Sequence, residues 1–234
     1  MADISIVRSI VEEHDGIGPA GEVARLDLRF RALLGATAWA RLPAAIRGRF
    51  AHRLGENAVV SYTGTIVECR ANAAGWLLSQ VCRLIGAPLP LCHEPGMPAA
   101  VVVTDDGATG GQHWTRLYGR PRGFPQVICS TKRFAGATGL EEYLGGGFGI
   151  ALRVRGDDGA LHFDSDYYFL ALGPVRMRLP RWLAPGDLTV SHVAQDDGGF
   201  DFVLTLCHPW LGELMAQRCH FHDQADIADE GRVA

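Results

Sequence analysis

The residues with the clearest chemical potential lie in Gln112–Tyr118, QHWTRLY. Read as a strand, this segment sets Gln112, Trp114, Arg116 and Tyr118 on one face and His113, Thr115 and Leu117 on the other. An arginine flanked by aromatics on the inner face of a curved sheet suits an anionic or carboxylate ligand. A sheltered arginine also needs a counter-ion, which Glu141 or Glu142 can supply. The plainer reading makes Arg116 half of a structural ion pair and Trp114 a packing residue. Arg176 and Arg178 alternate with Val175, Met177 and Leu179. They form either a basic lip over a cavity or the wet side of a strand.

Other constellations carry less. Arg218, His220 and His222 share a face of the last strand, with His208 near the end of the strand before it. Two histidines at i and i+2 can reach one ion, and a third His or Asp223 could complete the set. A polar edge strand is the commoner explanation, so no metal is assigned and no cofactor is expected. Asp164 and Asp166 share a face with His162 and Tyr168, which suits acid–base work or simply an exposed strand face. Gly145-Gly146-Gly147-Phe148-Gly149 lacks the Lys and Ser/Thr of a phosphate loop and reads as a turn or bulge. No nucleophile-elbow, zinc-protease, kinase or Walker motif occurs, so a non-catalytic role is favoured.

These residues need a framework. The chain has 234 residues, 47% apolar and 21% charged, with a net charge of −4. That composition supports a sizeable core and argues against nucleic-acid binding. Lys132 is the sole lysine. The start of the chain does not read as a secretory signal, no run is long enough for a membrane span, and the six cysteines contain no C-x-x-C. A cytoplasmic protein with reduced, mostly buried thiols is the expectation. Apolar spacing of three and four from Trp39 to Leu54 predicts a helix over residues 38–54, regular from Pro43 and ended by Gly55. A strand follows at Val59–Cys69, then a second helix at Ala73–Ile85, apolar nearly all round and so expected to be buried. After Pro98 the period changes to two. Nine strands are predicted from Ala99 to His222, joined by turns such as Asp157-Asp158-Gly159 and Asp196-Asp197-Gly198-Gly199.

The order of FRALLGATAWARLPAAIRGRF, HWTRLYG, LEEYLG, LGPVRMRLPRWLAPG and FDFVLTLCHPWLGEL resembles the bacterial family called domain of unknown function 4166, over about residues 30–222. The W-T-R and L-P-R-W-L-A-P pieces are the most specific. The chain departs from the family pattern at Glu142-Tyr143, where relatives tend to carry Glu-Arg, and at QRCHFHD, where they tend to carry a Tyr-Arg-Gly-like piece. The family has no assigned activity. Some relatives carry the domain behind a nucleotide-binding Rossmann domain, and the resemblance then implies an accessory or substrate-handling role.

The expected architecture is α+β: a predominantly antiparallel sheet, strongly curved or closed into a barrel, with two helices in the N-terminal third. Residues 1–29 are expected to form an arm, 30–222 a single β-rich domain and 223–234 a frayed acidic tail. The favoured function is binding of a small apolar or amphipathic ligand, with a carboxylate near Arg116. The candidate residues are Trp114, Arg116, Tyr118, Glu141, Glu142, Arg176 and Arg178. The alternatives are an enzyme in the same cavity with Glu141 or Glu142 as acid or base, and an accessory partner of a Rossmann-type oxidoreductase.

Overall fold

The period-two pattern is realised as a closed antiparallel barrel. The computed structural model describes residues 24–55, 58–84, 86, 88–91 and 94–223. Expectations for residues 1–23 and for the tail beyond 223 lie outside these. Strand β1 (Ala24–Leu26) leads into three short helices, α1 (Arg29–Leu34), α2 (Ala36–Arg41) and α3 (Ala44–Phe50). Strands β2 (His52–Leu54) and β3 (Val59–Ala71), helix α4 (Ala73–Leu84), then β4 (Pro98–Asp106), β5 (Gly111–Tyr118), β6 (Gln126–Arg133), β7 (Leu140–Gly145) and β8 (Phe148–Gly156) follow. The remainder is β9 (Ala160–Leu172), β10 (Val175–Arg178), a 3-10 turn at Arg181–Leu183, β11 (Asp187–Ala194), β12 (Phe200–His208) and β13 (Gly212–Asp223).

The ring runs β9-β11-β12-β13-β3-β4-β5-β6-β7-β8, and β8 pairs back with β9 to close ten strands. β10 hangs on the outside edge of β9, and β1 pairs with β2 as a separate ribbon. Closure removes the unpaired edges that an open sheet exposes. Alternation then sends one side chain in two inward: Val101, Trp114, Ile128, Leu152, Phe163, Val190, Phe202 and Phe221 are all buried.

Helices α1 and α3 plug one mouth. Phe30 meets Phe50 edge-on at 5.1 Å, and both rings pack against Phe163 on the barrel wall. The single helix expected over residues 38–54 is broken. Leu42 is extended at ψ 143° after α2, and Pro43 precedes α3, which stops at Phe50. Residues 52–54 instead extend and pair with β1. Strand β7 was not expected.

Helix α4 is also not buried as expected. Trp76, Leu77, Val81 and Leu84 are exposed, because the helix lies on the outer wall and presents one side to β13 and β3. Asn72 caps it, accepting the Gly75 N–H at 2.8 Å while its amide donates to the Leu211 and Glu213 carbonyls. The thiols differ from expectation too. Of the five described cysteines only Cys219 is buried, Cys129 and Cys207 are exposed, and no disulfide joins them. No helix among the described residues is long and apolar enough to cross a membrane.

A Cβ on Gly75 would collide with the Leu214 carbonyl oxygen. Gly75→Ala is therefore expected to lower stability by about 1–3 kcal/mol in urea denaturation, although alanine is the better helix former. An unchanged or raised midpoint would show that α4 does not dock this closely.

Candidate functional site

Adjacent strands β5, β6 and β7 bring four polar side chains into the barrel interior. Arg116 donates through Nη1 to Ser130 Oγ at 2.9 Å and through Nη2 to Glu142 Oε1 at 3.2 Å. Ser130 Oγ donates to the same Glu142 oxygen at 2.6 Å, and Lys132 Nζ donates to Glu142 Oε2 at 2.7 Å. All four are buried. The register makes this meeting necessary: Lys132 lies opposite both Gln112 on β5 and Glu142 on β7. Aromatic faces line the charges. Lys132 Nζ sits 5.0 Å from the Trp114 centroid and 5.4 Å from that of Phe163, and the Arg116 guanidinium lies 5.6 Å from Phe202.

Burial alone would raise the Glu142 pKa, but Lys132 and Arg116 overcome it and hold the carboxyl well below its usual range. Glu142 is thus an ionised partner, poorly suited to donate a proton. Burial lowers the Lys132 amine pKa against the opposing pull of Glu142. Two cationic groups face one carboxylate here, so the cluster retains positive charge.

Nearer the plugged mouth, a pocket of about 210 Å³ opens between α3 and the barrel rim. Phe50, Tyr62, Val103 and Trp114 form its apolar wall, with Arg49, Gln112 and His192 as polar members. His192 stacks on Phe200 at 5.1 Å and meets Phe50, Phe202 and Trp114 edge-on. Its Nδ1 is buried with no hydrogen-bond partner among the described residues. Burial, then Lys132, Arg49 and Arg116, push its pKa down to about 3, so the ring is neutral at physiological pH. Arg49 packs over Phe200 at 4.3 Å and chelates Asp223 through Nε and Nη2, while its buried Nη1 has no partner among the described residues.

The two glutamates divide. Glu142 faces Arg116 inside the barrel. Glu141 points outward, where Arg176 grips both its oxygens and Tyr143 Oη donates to it at 3.0 Å. Arg176 also lies over the Phe169 ring, and Arg178 over Tyr167. Trp114 lines the pocket beside Arg116, whereas Tyr118 is fully buried across from Ala99. His162, Asp164 and Asp166 pair outside with Asp157, Arg155 and Arg153. Tyr168 does not share their face, since a register shift opposite Asp166 turns it inward against Ile150. His208 accepts the Trp210 N–H at the far end of β12 from His220 and His222, which meet each other. Lys132, Ser130, Gln112, His192 and Arg49 were not singled out as site residues from sequence. The isolated lysine in an otherwise arginine-only chain was the available signal.

The model of one family, described as Domain of unknown function (DUF4166), matches residues 42–221. The chain belongs to this family. No curated protein matches it. The DUF4166 match spans α3, strands β3 to β12 and β13 as far as Phe221, and thus both the charged cluster and the pocket lining.

Glu142→Gln leaves two cations facing a neutral amide. It is expected to cost about 3–5 kcal/mol by denaturant unfolding, against about 0–1 kcal/mol for Glu68→Gln in the exposed Glu68–Arg70 pair. Equal costs would contradict the network. His192 yields a pH test. Its folded pKa lies below the unfolded value of 6.5, so its contribution is complete above pH 6.5 and is lost as pH falls toward 3. From pH 7 to pH 5 the wild type should lose about 1–2 kcal/mol more stability than His192→Phe. Parallel profiles would mean that the ring ionises freely in the fold.

Proposed function

We propose that this DUF4166 barrel binds a small amphipathic ligand bearing a carboxylate, seated in the pocket beneath α3. The observation that carries this reading is the pairing of an aromatic, apolar wall with two buried nitrogens that lack partners among the described residues, Arg49 Nη1 and His192 Nδ1. Buried polar atoms are nearly always hydrogen-bonded, so unpaired ones beside a pocket favour a ligand that completes them.

A carboxylate oxygen would accept from Arg49 Nη1. The tail would lie against Tyr62, Val103 and Trp114. Behind Trp114, the positive charge of the Arg116–Lys132–Glu142 cluster adds long-range attraction for an anion, although Arg116 has both Nη atoms committed to Ser130 and Glu142. Gln217, elsewhere on the inward face opposite Leu204, is also buried with neither amide atom partnered among the described residues, which supports an interior that takes up polar guests. The pocket volume is below the roughly 300–1,000 Å³ of drug-sized sites, so the ligand is small.

The test is native mass spectrometry of freshly purified protein, followed by titration with short aliphatic and aromatic carboxylates read through tryptophan fluorescence. A retained acidic adduct, or saturable carboxylate binding that weakens about 10–100-fold in Arg49→Ala, is the expected result. No adduct and no saturable binding, or binding indifferent to Arg49→Ala, would refute the reading.

A further inference from the structure

The β11–β12 turn and the end of β13 assemble a second constellation on the rim that the barrel pocket shares. Antiparallel pairing sets His220 opposite Asp201, and the short turn brings Asp197 over the same spot. His220 Nε2 lies 3.1 Å from His222 Nε2 and 3.0 Å from Asp197 Oδ2, and His222 Nε2 lies 4.0 Å from that oxygen. Three donor atoms of metal-ligating type therefore converge on one point.

We propose that Asp197, His220 and His222 bind a divalent transition-metal ion of the zinc class. Ligands held at the usual zinc distances of about 2.0–2.1 Å in tetrahedral array stand about 3.3 Å apart, close to the spacing present here. Two imidazole nitrogens at hydrogen-bond distance from each other form a bond only if one carries the proton, whereas a metal uses both lone pairs. Metal binding would use the His220 tautomer that donates its Nδ1 proton to Asp201 Oδ1, 2.7 Å away, so that the Nε2 lone pair faces the other two ligands. Asp201 is thus a positioning residue.

The backbone prepares the third ligand as well. Asp197 Oδ1 accepts the Gly199 N–H at 2.9 Å, which leaves Oδ2 to face the ring. Gly199 has no side chain to obstruct it, and a Cβ there would press against the His220 ring at 2.9 Å. His222 and Asp197 are about half exposed, so the fourth position opens to water. Two nitrogens and one carboxylate oxygen with an open position suit zinc better than calcium or magnesium, which favour all-oxygen sets.

The experiment is titration of chelator-treated full-length protein with Co²⁺, followed by competition with Zn²⁺. One equivalent should bind saturably with visible d–d bands and without a thiolate charge-transfer band. His222→Gln and Asp197→Asn, both at exposed positions where the fold is retained by circular dichroism, should each weaken binding at least tenfold. Asp201→Asn should weaken it about 10–100-fold and shift the d–d bands by releasing the imidazole. His208→Ala, at the opposite end of β12, should match the wild type. Absence of saturable binding, a thiolate band, or affinity unchanged in His222→Gln and Asp197→Asn would overturn the site.

Discussion

A carboxylate shared by two cations inside a closed barrel is the constraint on which the rest of this structure depends. Glu142 is reached by Lys132 on one oxygen and by Arg116 and Ser130 on the other, which ties the neighbouring strands β5, β6 and β7 together on the inner wall. Taking three ionisable groups out of water is costly unless each finds partners. The register supplies them, and Trp114, Phe163 and Phe202 offer aromatic faces to the cations. The surplus positive charge then acts outward on its neighbours. It helps keep His192 neutral and makes the adjoining pocket a favourable place for an anion.

The mouth of the barrel converts this electrostatic bias into a shaped site. Phe30 and Phe50 close most of the opening, while Arg49, next to Phe50 in sequence, leans over Phe200 and lines what space is left. Arg49 also reaches the Gly198 carbonyl at 3.5 Å, so the pocket and the Asp197–His220–His222 cluster share one rim. The same turn that orients Asp197 therefore helps seat the arginine.

Much of the barrel was legible in the alternation after Pro98, because a wall with one apolar face repeats every two residues. Strand β7 was not, and its residues explain why. LEEYLG carries adjacent glutamates, both buried on opposite faces, Glu142 against Lys132 and Glu141 against Arg176. Those partners are 10 and 35 residues away in the chain, and local polarity hides the burial they permit. Helix α4 misled for the converse reason: its apolar circumference is not matched by neighbours on every side. Arg116 and Glu142 could be nominated from type and spacing. Arg49 and His192 could not, since their importance arises from the plug and barrel wall meeting. The Asp197 contribution to the histidine pair depends likewise on how a turn folds back over β13.

The most direct measurement is a crystal structure of the protein as purified, without added ligand. The account predicts density in the pocket beneath α3 for a small molecule whose acidic group contacts Arg49 Nη1, with the Arg116–Glu142–Lys132 network intact behind Trp114. A pocket filled by ordered water alone, or an interior in which Glu142 has parted from both cations, would contradict it.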